Sequence, residues 1–464
     1  MGLEEQEAFH AIAETVADEF AEMLKQEEDA EFNALSVFGM EISTLMVKKG
    51  AEGKPDRAIC NVENAVHILS EHRETAGLLA FDELQGLIVL QHPVPRGFSS
   101  AAFSEREIPK KWAKPRPLTD ADYVDVQRWL QRGKFPSIGL HSVIDAVNSV
   151  ARMNSFHPIL DYLKRLKWDG VERVSGFGST YLGAEDSAYT RKVFEIFFIS
   201  AVARVYEPGC KADYMLILEG KQGLGKSTLF SKLAGDWFSD SLPGDVSSKD
   251  AADHVAGKWI IEMAEMHSLR KSEADALKQF ITKTTEKFRP AYGRCEVVRP
   301  RSCVFVGTTN EEGYLKDLTG NRRFLPVKVE RVDVEGMEGL REQLWAEAVV
   351  LYRRGVRWWP DRDFEEAEMK PQQEERLVQD PWAEIISSRL RVGAILGDGV
   401  MVGHRIGFQE IGLLLELPQV KQNDFHQKRI RAVMERLGWK YERKSHRNRF
   451  VSPQMQKLEA EAGK

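Results

Sequence analysis

The chain has 464 residues, 42 % of them hydrophobic and 29 % charged, with a formal charge of −6. That length supports two to four domains, and the near-average composition excludes a wholly disordered or fibrous protein. No run approaches the ~20 apolar residues a bilayer span requires, and the N-terminus is acidic where a secretory signal would be basic, so a cytoplasmic protein is expected.

Charge is distributed unevenly. Residues Met1 to Leu35 hold 11 Asp or Glu against one Lys, a balance of −10, whereas Lys421 to Arg449 hold 10 Lys or Arg against 3 acids, a balance of +7. Cys60, Cys210, Cys295 and Cys303 form no C-x-x-C pair and have no histidines at zinc spacing, so reduced core thiols are expected.

The acidic head reads as an amphipathic helix, with Phe9, Ile12, Val16, Phe20 and Met23 recurring at three- and four-residue steps. A helix near Val62 to Arg73 and a short strand, Gly86 to Leu90, follow. Five prolines between Pro93 and Pro117 mark the first expected domain boundary. Helices are then predicted over Asp120 to Arg132, Ser142 to Met153 and His157 to Leu166, the first opened by a capping signal, Thr119-x-x-Asp122. Val193 to Tyr206 is apolar on nearly all sides and predicts a buried helix.

Gly220-Lys-Gln-Gly-Leu-Gly-Lys226-Ser227 matches G-x-x-x-x-G-K-[ST], preceded by an apolar strand, Tyr214 to Glu219, and followed by a helix, Ser227 to Ala234. Gly220, Gly223 and Gly225 let backbone amides turn toward a phosphate, and the helix N-terminus, with Thr228 in its first turn, adds partial positive charge. Lys226 would reach the β/γ-phosphates of ATP and Ser227 would ligate Mg²⁺. Hydrolysis also needs a strand-end acid, and Trp259-Ile-Ile-Glu262-Met-Ala-Glu265 supplies two. Glu262 is preferred for the metal; Glu265 joins it only if the strand turns between them, and is otherwise a surface glutamate. Cys303-Val-Phe-Val-Gly-Thr-Thr-Asn310 is suited to place Asn310 beside the γ-phosphate. Arg322 and Arg323, in Gly-Asn-Arg-Arg-Phe, present an arginine pair that serves either a γ-phosphate or ordinary acidic partners.

In this order, Lys258-Trp-Ile-Ile-Glu-Met-Ala-Glu265, Val306-Gly-Thr-Thr-Asn310 and Thr319-Gly-Asn-Arg-Arg-Phe324 behind the glycine loop resemble the virulence-associated protein E family of phage and prophage proteins. That family is related to superfamily 3 helicases and poxvirus-type replicative ATPases. Leu166-Lys-Trp-Asp-Gly170, Pro208-Gly-Cys-Lys-Ala-Asp213 and Arg289-Pro-Ala-Tyr-Gly293 extend the resemblance over roughly residues 115 to 360. It implies an α/β, AAA+-like P-loop core assembled as a ring, a hexamer, with Arg322 or Arg323 acting on a neighbouring subunit's ATP. It also implies a DNA-gripping channel loop between Ile281 and Cys303, with Lys283, Lys287, Arg289, Arg294 and Arg299 as candidates; a solvated charged loop is the alternative for each. Some relatives carry a primase domain, but Asp120-Ala-Asp122 reads as helix capping, and primer synthesis is not expected here.

After a polar stretch from Asp361 to Gln379, Val402 to Val451 reads as helix, turn, helix and hairpin, an order that suits a winged helix. Lys428, Arg429 and Arg431 would face phosphates, and Lys444, Arg447 and Arg449 would ride on the wing. A basic docking surface for an acidic partner is the alternative. The expected units are thus residues 1–110, an accessory region with the acidic helix and a small α/β part; 115–212, a helical module; 213–360, the ATPase core; and 385–464, the basic winged-helix-like domain. The leading functional expectation is an ATP-driven DNA translocase, helicase or replication initiator with possible replication partners. An ATP-gated regulatory or defence protein that never translocates is the second, and a small-molecule kinase sharing only the glycine loop is the third.

Overall fold

The computed structural model describes residues 36–37, 40–41, 44–50, 57–95, 112, 114–133, 135–268, 270–288, 296–311, 313–315, 320–377, 380–390, 395–396, 400–401, 404–417, 424–444 and 447–461. The acidic head therefore lies outside the described residues.

The first unit packs helices α1 (Val62–Glu71), α2 (Asp120–Arg132) and α3 (Leu140–Met153) on a sheet of β1 (Leu79–Asp82), β2 (Leu87–Leu90), β3 (Arg116–Pro117) and β4 (Ser155–Phe156), in the order β3-β2-β1-β4. Asn61 opens α1 by accepting the Asn64 amide, and buried Asn64 bonds the backbone of Met46 and Ile59. At the start of α2 the Asp122 carboxylate accepts from both the backbone N–H and the hydroxyl of Thr119, at 2.7 Å each, and takes Arg116 in a two-pronged pair at 2.6 and 2.8 Å. The aspartate carboxylate thus supplies its half of the Thr119-x-x-Asp122 capping signal.

This unit overrides the expected boundary near residue 110. Trp129, Leu130, Val143 and Val147 share one apolar cluster with Ile68, Leu79 and Leu90, so α2 and α3 complete the core of the preceding residues. They do not form a separate helical module, because together with α1 they cover the apolar face of the β1–β2 sheet. The core changes hands after Phe156, where Ile159 and Leu163 of α4 (Pro158–Arg165) join the next cluster.

That cluster surrounds a five-stranded, wholly parallel sheet, the mixed α/β architecture expected of alternating strands and helices. Its strands are β5 (Met215–Glu219), β6 (Phe238–Ser239), β7 (Ile260–Met263), β10 (Val304–Thr309) and β11 (Phe324–Lys328), and its order is β6-β7-β10-β5-β11. Between β7 and β10 lie α7 (Lys271–Thr282) and an antiparallel hairpin, β8 (Thr285–Phe288) with β9 (Val297–Pro300). Alternate residues of β5 feed opposite faces: Leu216 and Leu218 join the cluster formed by α5 (Ala188–Tyr206) and α8 (Arg341–Arg353), while Met215 and Ile217 join Phe280, Phe305 and Phe324. On the first face Trp259 stacks against Trp345 at 4.1 Å and donates to the Ala201 carbonyl at 2.9 Å, which fixes α5 against both the sheet and α8.

The polar stretch expected to separate the domains is instead packed on the core. A π turn, Glu365–Met369, leads into α9 (Lys370–Glu375), where Gln373 donates to the Phe324 carbonyl. The stretch reads as a linker because two of its anchors, Glu365 and Arg376, meet Tyr214 and Glu219 far away in sequence. Beyond it, α10 (Pro381–Arg389), β12 (Arg405–Gly407), α11 (Phe408–Leu414), α12 (Asp424–Arg436), β13 (Lys440–Lys444), β14 (Arg447–Val451) and α13 (Pro453–Glu461) make a small unit. Its antiparallel sheet runs β12-β14-β13, and Ile406, Ile411, Val433, Met434 and Phe450 fill its core. No helix among the described residues is long and apolar enough to cross a membrane.

Candidate nucleotide site

The glycine loop joins β5 to α6 (Lys226–Ala234), and Gly223 and Gly225 adopt φ of +80° and +88°, which a side chain resists. Gly220 is held by contact instead, since a Cβ there would lie 2.6 Å from the Val329 carbonyl oxygen. Thr228 lies in the first turn of α6 and faces outward, exposed.

Lys226 is buried and folds back over the loop, its Nζ donating to the carbonyls of Gly220 at 2.6 Å and Lys221 at 2.9 Å and to Asn310 Oδ1 at 2.9 Å. Burial lowers its pKa, and the Glu262 charge opposes that shift in part. Glu262, 1 % exposed, accepts at Oε1 from Ser227 Oγ at 2.7 Å and Thr308 Oγ1 at 2.6 Å. Its Oε2 is buried and lacks a hydrogen-bond partner. Because β10 lies between β5 and β7, the chain ends up with Lys226, Ser227, Glu262, Thr308 and Asn310 together at the carboxyl ends of three adjacent parallel strands. Open α/β sheets form ligand sites at that edge.

Glu265 lies two residues beyond the end of the strand that carries Glu262. It follows β7 exposed, with a left-handed φ of +53°, and its carbonyl accepts from Ser268. A non-glycine residue in that region is strained by roughly 1–3 kcal/mol. Arg322 and Arg323 lie toward the opposite edge of the sheet. They occupy a turn (Asn321–Arg323) just before β11, whose Phe324 pairs with Met215 at the start of β5, whereas Glu219 at its end adjoins the glycine loop. Five strand residues at ~3.3 Å each put about 16 Å between the arginine turn and the phosphate loop of the same chain. Arg322 is exposed, and Arg323 Nε is buried without a hydrogen-bond partner. The turn borders an open cleft with a volume of about 450 Å³, lined also by Glu365, Glu366 and Lys370.

Sequence reasoning missed one component of the site's frame. Glu219, the last residue before the loop, accepts from Tyr314 Oη at 2.8 Å and from Arg376 Nε at 2.8 and 2.9 Å, all buried. Burial and the Glu219 charge hold the Tyr314 hydroxyl well above its ordinary pKa. The one signal available was an acid closing an otherwise apolar run. Thr308 was missed as well, since a Thr-Thr-Asn strand end reads as a turn.

The expected DNA contacts fall into three groups. Lys283 and Lys287 are exposed at the start of the hairpin, where Lys283 lies 3.9 Å from Glu286; Arg289 and Arg294 lie outside the described residues. Arg299 turns away from the hairpin tip: its guanidinium packs against Gly86 of the first unit, and burial lowers its pKa. On α12, Lys428 is exposed. Arg429, however, pairs with Asp380 at 2.8 Å through both prongs and lies 3.8 Å over Trp382, while Arg431 pairs with Glu435 at 2.8 Å and lies 4.3 Å over Tyr441. Arg429 thus holds α10 to α12 and leaves little of its guanidinium for a phosphate. Arg449 is half-buried on β14, and the side chains of Lys444 and Arg447 lie outside the described residues.

No curated protein matches the sequence. Among solved structures, similar chains include an A form apo structure of the NrS-1 C-terminal region, at 14 % identity over 81 % of this chain and 96 % of that one, with a TM-score of 0.44. Another A form apo structure of that region gives 14 % identity over the same shares and a TM-score of 0.45. A further apo structure of it gives 14 % identity over 80 % and 95 %, with a TM-score of 0.40. Residues 163–378, from the last turns of α4 through the Arg376 that braces the glycine-loop strand, match the virulence-associated protein E-like domain.

Proposed function

We propose that the chain is an Mg²⁺-dependent ATPase that works as a ring-forming DNA translocase, helicase or replication initiator of a phage, prophage or other mobile element. The observation that carries this reading is the convergence of Lys226, Ser227, Glu262 and Asn310, from three separate segments, within hydrogen-bond reach at one sheet edge. The match of residues 163–378 to the virulence-associated protein E-like domain supports it.

In this reading the loop amides and the N-terminus of α6 receive the ATP phosphates, and Lys226 exchanges its present acceptors for phosphate oxygens. Ser227 Oγ and Glu262 offer the hard oxygen donors that suit Mg²⁺, and the unpartnered Glu262 Oε2 fits such a ligand. When bound, Mg²⁺ neutralises phosphate charge. Asn310, its Oδ1 already aimed into the loop, orients the attacking water, and Glu262 accepts its hydrogen bond. Arg322 or Arg323 completes the site of an adjoining subunit in an AAA+-like ring, a hexamer. The hairpin carrying Lys283 and Lys287 grips the DNA, and the C-terminal unit, read as a winged helix, recruits it through Lys428 and the β13–β14 wing.

ATP hydrolysis by the full chain, with and without single-stranded DNA across a salt series, tests this beside Lys226→Ala and Arg323→Ala. The expected result is stimulation by DNA that fades as salt rises and vanishes in both variants, because phosphate contacts weaken as counterions compete. Slow turnover indifferent to DNA, with assembly still dependent on ATP, would replace the motor by an ATP-gated regulatory or defence protein.

A further inference from the structure

We infer that a second contact for single-stranded nucleic acid lies outside the hairpin, where the C-terminal ends of α5 and α8 meet the Trp358–Trp359 turn; this rests on the DNA-binding reading above. Four aromatic rings form a continuous series there: Tyr206 to Tyr352 at 5.1 Å, Tyr352 to Trp358 at 5.9 Å and Trp358 to Trp359 at 4.9 Å. Trp358 is architectural, since its indole N–H donates to the Lys211 carbonyl at 2.8 Å. Trp359 is different, because it stays 44 % exposed at the end of the series.

Cations surround these rings. Arg353 lies 5.8 Å over Tyr206 and Arg354 lies 5.5 Å over Trp168, while Lys211 and Arg357 are exposed beside them. Glu207, an acid on the same surface, is engaged by the Tyr352 hydroxyl at 2.5 Å. Helix C-termini attract cations in any protein, which accounts for Arg353 and Arg354 but not for Lys211 or Arg357. An acidic polypeptide would need the charges alone, whereas exposed indole beside arginine suits a polyanion whose bases stack.

Position adds a second argument. The turn after α5 abuts the base of the hairpin, with the Gly209 N–H donating to the Arg301 carbonyl at 2.9 Å and Pro300 3.3 Å from where a Gly209 Cβ would lie. Lys211, two residues beyond Gly209, thus stands between the hairpin base and Trp358, whose indole N–H its carbonyl accepts.

The test is binding of a fluorescein-labelled oligothymidylate to the full chain, read by anisotropy and by quenching of intrinsic tryptophan fluorescence. Trp359→Ala is expected to weaken binding about tenfold and remove part of the quenching, and Trp359→Phe to retain most of the affinity. Lys211→Ala combined with Arg357→Ala is expected to lower the log–log salt slope by about 1.4. ATP turnover without DNA and the melting temperature should match the parent in each variant. Unchanged affinity and slope in these variants, with loss in Lys283→Ala and Lys287→Ala, would sink this contact and leave the motor reading standing. A parent chain that binds no oligothymidylate would sink both. If poly-L-glutamate quenches the same fluorescence and displaces the oligonucleotide equally well, the patch serves an acidic protein and the inference fails.

Discussion

Glu262 divides its carboxylate between two hydroxyl donors on one oxygen and no protein partner on the other, which leaves a buried oxygen unsatisfied beside Ser227. Glu262→Gln preserves the shape while removing the charge. Turnover of ATP is expected to fall about 10²–10³-fold with nucleotide affinity nearly kept, as single-turnover phosphate release and a binding titration would show; parent-like turnover would remove Glu262 from the reaction. The sequence named Lys226, Ser227, Glu262 and Asn310 because each ends a strand or opens a helix beside a glycine loop, a local signal. It did not decide Glu265, whose placement depends on a left-handed backbone turn that no spacing rule encodes. Nor did it find Arg376, since that side chain meets Glu219 across 157 positions of sequence.

Two joints between elements carry measurable energy. At the start of α2, the Arg116 guanidinium leads the interactions that hold the Asp122 carboxyl at about 2, below its ordinary 3.8. Stability from this carboxylate is complete above the unfolded pKa and is lost as pH falls through about 2. Asp122→Asn is therefore expected to destabilise by about 1–2 kcal/mol at neutral pH, allowing for the solvent beside Arg116, and the gap in urea midpoint should close in acid. A gap that persists in acid would assign the effect to packing. At the end of β5, Arg376→Ala would leave Glu219 buried without its cation, at a cost of about 3–5 kcal/mol in urea unfolding. The same joint explains why residues 361–379 read as a linker: a polar run looks solvated until its distant partners are known. Three strands of the parallel sheet, β5, β7 and β10, were legible from apolar runs and their flanking turns; the two-residue β6 and the β11 that directly follows the arginine turn were not. The allegiance of α2 and α3 was not, because an amphipathic stripe says that a helix docks but not on which side of a proline-rich segment its partner lies.

At the scale of the whole molecule, the arginine turn and the phosphate loop occupy opposite ends of one parallel sheet, about 16 Å apart along β5. If an arginine of that turn serves ATP, it serves ATP on another copy. Mixing Lys226→Ala chains with Arg323→Ala chains, each inactive alone, is then expected to restore part of the turnover, because some junctions pair an intact loop with an intact arginine. Coupled phosphate-release assays over a range of mixing ratios would show it, and a mixture as silent as its components would exclude action between subunits.

This polarity constrains how copies can associate. In the proposed ring the loop of one subunit meets the arginine turn of the next, a head-to-tail contact. An open row of such subunits always wastes one loop at one end and one arginine turn at the other. Closing the row into a circle removes both defects at once, which makes specific activity a direct report of closure: it should climb with protein concentration and then level off when the last junction forms.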